Sequence, residues 1–494
     1  MNRIPLMLLS ALSLAACNQS SSPKTNAADT AATQNMAPGY EFIGGYPTRA
    51  TIQKAYDDAD FYRAVQAYKF FYPTVSGYGL LYGNLAVNIK PNTVAGTLDT
   101  KPQQVGFTLN SDTPYGPILL DLSGGPIVID IPAGPLIVVA MDLNQRWVAD
   151  MGIPGPDEGK GGKHLILPPG YKGDIPAGYH VWKSSANNLT VGIRSLPVGG
   201  DVAAAMARIK TIKIYPLASA ASAPAIQWLD LSGKPQNTTP LEWETNIKYW
   251  EILSKVLNQE PVYEGYRTYY GELAVLGIAK GKPFAPDARM KAILERAAAV
   301  ANAQMRVQSF ADRREDRVVW KDRHWEWAGL RPENGDFDTP SYVDIDAREV
   351  WFYQAIGASP AMFRRKAGYG SLYWLGLYDK SGNYVNGSKT YKLTIPQPVP
   401  AKLFWSITIY DAETRSQVIT DQGYAALRSM FELKDLGKTP TIDLYFGPTA
   451  PAGKEKQWIK TIPNKGWFAY FRIYGPEDAA FNGSWKPDDF EEVK

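Results

Sequence analysis

Between Tyr40 and Pro216 the apolar residues come in short runs, separated at regular intervals by turn formers. Val105–Leu109, Ile118–Leu122, Ile127–Ile131, Leu136–Leu143, His164–Leu167, Tyr179–Lys183 and Leu189–Ser195 read as strands. Ser123-Gly124-Gly125-Pro126, Pro132-Ala133-Gly134-Pro135 and Pro168-Pro169-Gly170 between them read as turns. This series predicts an antiparallel sandwich rather than alternating strands and helices. A short helix around Thr51–Phe70 is expected ahead of it.

From about Pro224 to Ala367 the spacing becomes helical. Thr239-Pro240-Leu241-Glu242 has the form of a capping box and predicts a helix through about Leu257, with Trp243, Ile247, Trp250 and Leu253 near one face. Tyr263–Leu276 follows and stops at Gly277. The longest helix is predicted from Asp287 to about Phe310, with Met290, Leu294, Ala297, Ala301 and Met305 at helical spacing. After Tyr369 the strand texture returns in Tyr391–Ile395, Leu403–Tyr410, Ile442–Phe446 and Trp467–Tyr474. The expected fold class is mainly β with a helical middle segment, an α+β multidomain chain divided at 40–216, 217–367 and 368–494.

The first residues read differently. Met1-Asn2-Arg3 precedes an apolar run, Ile4–Leu14, that is too short to span a bilayer, and small residues lead to Cys17, the only cysteine in the chain. Residues 1–16 are expected to be a signal peptide. Leu14-Ala15-Ala16-Cys17 resembles a bacterial lipobox, which implies lipidation at Cys17 and a cell-envelope location; Asn18 in place of Asp points to the outer membrane. Residues 17–39, rich in Ser, Ala, Asn and Thr, read as a flexible tether. No later apolar run is long enough to cross a membrane, so Cys17 is expected to be the sole anchor. The net charge is +3 with dispersed basic residues, which gives no sign of a nucleic-acid partner.

Several chemistries find no support. The chain has no Gly-x-Ser-x-Gly elbow and no His-Glu-x-x-His, and its one cysteine is assigned to the anchor. His164 and His180, with Asp142 or Asp157, are weak candidates for a divalent metal; otherwise no cofactor is expected. His324 beside Glu326 is a weaker general-base candidate. Asn110, Asp112, Thr113 and Tyr115 put acceptors, a hydroxyl and a phenol on one inter-strand loop, a set suited to a hydroxylated ligand, although Asn and Asp before Thr-Pro also build Asx-turns. In Phe404–Asp411, Trp405, Ile407 and Ile409 share the core face, while Ser406, Thr408 and Tyr410 share the other, within reach of Arg472 on a later strand. Tyr266, Tyr269 and Tyr270 around Arg267 form an aromatic–cationic cluster on a helix.

Asn110-Ser111-Asp112-Thr113-Pro114-Tyr115-Gly116 resembles the Asn-x-Asp-Thr-x-Tyr-Gly signature of the bacterial domain of unknown function family 1254, followed as there by Leu120-Asp121-Leu122-Ser123. The C-terminal block is similar to family 1214 at Tyr378–Gly382, Phe404–Asp411, Arg472–Pro476 and Trp485. The resemblance implies an immunoglobulin-like sandwich, a helical middle and a jelly-roll-like sandwich, and it implies no activity. The chain departs from these families at Thr420–Tyr424 and at Gln457–Lys460. The leading functional expectation is an envelope protein that binds or processes a small polar or carbohydrate-like ligand between the two sandwiches, with Asp112, Tyr115 and Arg472 as weak catalytic candidates. A structural or interaction role, including as a homo-oligomer, and a metal-dependent hydrolase are the alternatives.

Overall fold

The computed structural model describes residues 33–102, 104–222, 225–330, 336–363, 365–436 and 439–493. Cys17 and the segment read as a signal peptide lie outside them. The described residues up to Asp58 and those from Ala59 onward form two compact units. In the first, Thr33–Ala37, Tyr40–Ile43 and Tyr46–Pro47 make a small antiparallel sheet. Its first strand begins inside the segment read as a tether.

Helix α1 spans Arg49–Ala86 and contains Pro73, so it continues well past the Phe70 expected from the pattern. In the second unit it is buried on several sides: Ala64, Ala67, Tyr68, Phe71 and Tyr72 are all almost fully enclosed. Its later turns lie tightly against neighbouring backbone. A Cβ on Gly77 would sit 2.2 Å from the Leu143 carbonyl oxygen, and one on Gly83 would sit 2.1 Å from that of Asn237. Only glycine permits that approach.

The first sandwich has eight strands: β1 (Tyr115–Asp121), β2 (Ile127–Ile131), β3 (Leu136–Asp142), β4 (Trp147–Gly152), β5 (Gly162–Leu167), β6 (His180–Lys183), β7 (Asn188–Ser195) and β8 (Lys213–Pro216). Their order is β6-β5-β2-β8 in one sheet and β1-β7-β3-β4 in the other. Ile118, Leu120, Val138, Val191 and Ile193 from the second sheet pack against Ile127, Ile129, Ile166 and Ile214 from the first. β5 and β6 pair in parallel, unlike the antiparallel pairing expected of the series, so they are not a hairpin. Val105–Leu109, expected as a strand, is extended only at Gln104–Val105. Beyond that the Thr108 amide donates to the Arg415 carbonyl and the Leu109 carbonyl accepts from Tyr410, so partners outside any strand ladder take these groups.

In the middle region the helices are α2 (Lys248–Gln259), α3 (Arg267–Val275), α4 (Ala288–Phe310) and α5 (Ile345–Gln354). α4 matches its sequence pattern: the Asp287 carboxylate accepts from the Met290 amide at 2.7 Å, and Leu294, Ala297, Ala301 and Met305 are buried. α2 starts at Lys248 rather than near Thr239. The expected capping box does not form because Thr239 donates its amide and hydroxyl to Asn237, at 3.0 and 2.9 Å.

The C-terminal sandwich comprises β9 (Trp325–Trp327), β10 (Ser371–Gly376), β11 (Thr390–Pro396), β12 (Ala401–Asp411), β13 (Ala426–Arg428), β14 (Thr441–Gly447), β15 (Trp458–Lys460), β16 (Trp467–Pro476) and β17 (Glu491–Val493). They form sheets β9-β10-β16-β12-β13 and β15-β14-β11-β17. Trp405, Ile407, Ile409, Phe471 and Ile473 fill the space between them. The fold is thus mainly β, with a helical middle region between two sandwiches.

Candidate functional site

Each sandwich turns one sheet outward, and strand alternation decides what that face displays. On β7, Leu189, Val191 and Ile193 enter the sandwich core, which leaves Thr190, Gly192 and Arg194 outside. Val139 and Met141 of β3 and Tyr115 of β1 share that outer face. On β16, Trp467, Ala469, Phe471 and Ile473 point into the other core, which turns Tyr470 and Arg472 outward, near Tyr373 of β10. All of these outward groups line one cavity of about 160 Å³, completed by Leu80 of α1 and Trp351 of α5.

The signature loop forms the cavity's rim. Asn110 Oδ1 accepts from the amides of Asp112, at 2.9 Å, and Thr113, at 3.3 Å, so the Asx-turn is real. The other end of the same side chain positions the phenol: Asn110 Nδ2 donates to the Tyr115 oxygen at 2.6 Å. Burial raises the Tyr115 pKa, with Arg194 and Arg472 opposing it, so the phenol keeps its proton. Among the described residues that proton has no acceptor.

Other residues of the loop fasten it to the C-terminal sheet. Asp112 Oδ2 accepts from Ser406 Oγ at 2.9 Å and from the Tyr474 hydroxyl at 3.2 Å. Burial pushes the Asp112 carboxyl up, against the pull of Arg472 and Ser406. Arg428 donates to the Ser111 carbonyl at 2.6 Å. The Thr108 carbonyl accepts from Arg472 Nη2 at 2.8 Å, and its hydroxyl donates to the Gln354 carbonyl at 3.1 Å. Thr108 has φ +46°, a costly setting for a β-branched residue that its surroundings over-determine. Arg472 also donates to the Tyr410 hydroxyl at 2.6 Å.

The sequence-derived candidates therefore separate into two groups. Asn110, Tyr115 and Arg472 line the cavity, whereas Asp112, Thr113, Ser406 and Tyr410 are buried and do not. Thr108, Arg194, Gly192 and Tyr373 belong to the lining and were missed. One signal was readable: in Leu-Thr-Val-Gly-Ile-Arg-Ser the apolar residues alternate with Thr190, Gly192 and Arg194, which marks a second, non-core face carrying a charge.

The histidine pair stands elsewhere. His164 and His180 lie directly opposite on β5 and β6, and their rings stack with centroids 4.9 Å apart. His164 Nδ1 accepts from the Trp182 indole at 3.2 Å, and its Nε2 faces Asp157 Oδ1 at 3.3 Å. Asp142 is held by Ser185 and by the Asn144 and Arg146 amides. Among the described residues no group of three or more His, Cys, Asp or Glu is arranged to hold a metal. His324 donates its backbone amide to Asp489, and Glu326 faces Arg317 at 3.3 Å. Tyr269 stacks on Phe70 and Tyr270 on Phe71, while Arg267 is exposed, so that cluster is a helix-packing surface. The two segments that depart from the family pattern bind each other: Gln422 Nε2 donates to the Trp458 carbonyl at 2.9 Å, and Asp421 pairs with Lys460 at 2.7 Å.

Two sandwiches whose outward sheets enclose a cavity, bridged by helices, define the class of the protein. Residues 92–216 match the model of a protein family of unknown function (DUF1254), and residues 370–478 match that of a second (DUF1214); the chain carries both segments. A crystal structure of the VPA0106 protein from Vibrio parahaemolyticus shares the fold at TM-score 0.57 and 18% identity, covering 88% of this chain and 100% of that one. An uncharacterized protein from Burkholderia cenocepacia aligns at TM-score 0.39 and 11% identity over 89% of this chain and 96% of that one. No curated protein matches the chain.

Proposed function

We propose that the chain binds a small molecule in the cavity between its two sandwiches. The observation that carries this reading is Gly192. It sits in the middle of β7 on the cavity wall, where a Cβ would meet only Val139 Cγ1, at 3.6 Å. A glycine in a strand interior weakens the strand, and a common reason for one is close approach by a ligand. Gly192→Leu should fill the space without displacing backbone. In thermal unfolding, a ligand at a hundred times its Kd stabilises by about 2.7 kcal/mol. A panel of sugars, polyols, small aromatics and carboxylates is expected to raise the wild-type midpoint with at least one compound. Gly192→Leu should abolish that shift while melting no earlier on its own. A ligand that stabilises both forms equally places binding outside the cavity and defeats the reading.

The lipobox-like Leu14-Ala15-Ala16-Cys17 supports tethering of this binding protein at the bacterial envelope. Radiolabelled palmitate is expected to be incorporated into the wild type and not into Cys17→Ser. Equal labelling of both would remove the anchor.

A further inference from the structure

We infer that the cavity's ligand is a small organic monocarboxylate with an apolar body, an inference that rests on the small-molecule reading above. Arg194 lines the cavity and its side chain makes no hydrogen bond or ion pair among the described residues; its guanidinium stands 5.9 Å from the centre of the Tyr474 ring. Arg472 is fully enclosed, and its two hydrogen bonds go to uncharged oxygens, those of Tyr410 and Thr108. Arg472 is buried and Arg194 half-buried, one on each wall; cations withdrawn from water are normally paired, so two guanidiniums without a carboxylate within ion-pair distance among the described residues are an unmet electrostatic demand.

The carboxylate whose charge Arg472 feels is Asp112, whose Oδ2 is held by Ser406 and Tyr474. Two cations against one anion leave one positive charge, which a monoanion would neutralise. The geometry of the demand also suits a carboxylate. A guanidinium presents planar paired donors, and the Tyr115 hydroxyl adds a third donor whose proton is uncommitted.

Leu98, Phe107, Pro117, Val139, Met141 and Ile356 make much of the remaining wall apolar, and of its other polar side chains Asn84, Gln236 and Thr238 are bonded to one another or to backbone carbonyls. A cavity of about 160 Å³ compares with the roughly 150 Å³ that accommodates a benzene ring in an engineered apolar site. A ring or short branched chain fits there, with its carboxylate directed at Arg194. A polyol, being uncharged, would leave the arginines uncompensated.

The test uses the full chain, ¹⁹F NMR and isothermal titration with 4-fluorobenzoate and its uncharged isostere 4-fluorobenzamide. Wild type is expected to bind the carboxylate at least tenfold more tightly than the amide. Arg194→Met, which keeps the side chain's bulk and touches no other hydrogen bond, should lose that preference while still binding the amide. Equal affinity for acid and amide in both forms, with Gly192→Leu binding neither, overturns the carboxylate and leaves the cavity reading standing. So does a sugar or polyol that binds wild type but not Gly192→Leu while neither fluorinated probe binds. Failure of every probe to bind wild type overturns both.

Discussion

Replacing Glu244 with alanine is expected to cost about 3–5 kcal/mol of stability, the usual penalty for stripping one partner from a buried ion pair. Arg415 is completely enclosed, stacked between Phe107 at 4.3 Å and Tyr353 at 4.2 Å, and among the described residues Glu244 is its only carboxylate partner. The same carboxylate accepts from the Tyr72 hydroxyl, so the substitution strands a cation and a phenol together. The damage should reach the cavity, because the Arg415 carbonyl holds the Thr108 amide and Phe107 is a cavity wall. Urea unfolding of Glu244→Ala should show a lower midpoint. Glu244→Leu combined with Arg415→Met should recover most of the loss, since an apolar pair in place of buried ions is often neutral or better. If the double variant is no more stable than Glu244→Ala, the penalty is one of packing and not of charge.

Asp142→Asn is expected to stabilise the protein at neutral pH and not at acid pH. Burial pushes the Asp142 carboxyl up to about 6, against the pull of Ser185 and Arg146. A carboxyl whose folded pKa lies above its unfolded value of about 3.9 binds its proton more tightly in the folded state. Its favourable contribution is therefore complete below about pH 4 and is lost as pH rises through about 6. Two units correspond to about 3 kcal/mol at most. In the variant the amide oxygen can keep the Asn144 and Arg146 amides, and the amide nitrogen can donate to Ser185. Relative to wild type, the variant's urea midpoint should rise between pH 4.5 and pH 7.5. Parallel pH profiles for the two proteins would show that Asp142 does not titrate in that window.

Local pattern carried much of the fold. Ile127–Ile131 is a strand with the limits its alternation suggests, and Asp287 caps the helix its position suggests. The core face of Phe404–Asp411 was also legible, because two-residue periodicity puts Trp405, Ile407 and Ile409 on one side whatever their partners are. What long-range partners decide was not legible. Pro73 lies within a continuous helix whose later turns rest on Leu143 and Asn237, and Thr239 is diverted from capping by Asn237. The site was half visible. The family-like loop brought Asn110 and Tyr115 to attention, but Arg194 acquires meaning only once no carboxylate is found beside it, a fact about three dimensions. Asp112, the most conspicuous residue chemically, is occupied in joining the loop to β12 and β16.

The bonds that hold the signature loop reach very far along the chain. Asp112 to Ser406 spans 294 residues, Ser111 to Arg428 317, and Thr108 to Arg472 364. Contacts of such separation form late and slowly. At a synthesis rate of about 5–20 residues per second, the first sandwich is complete roughly tens of seconds before the strand bearing Arg472 exists. Through that interval Arg194 and Tyr115 face whatever surrounds the nascent chain, and neither family segment expressed alone contains the second wall. The cavity therefore closes only once the strand bearing Arg472 has been made, and a product truncated before that strand would leave Arg194, Val139 and Met141 without the wall that faces them.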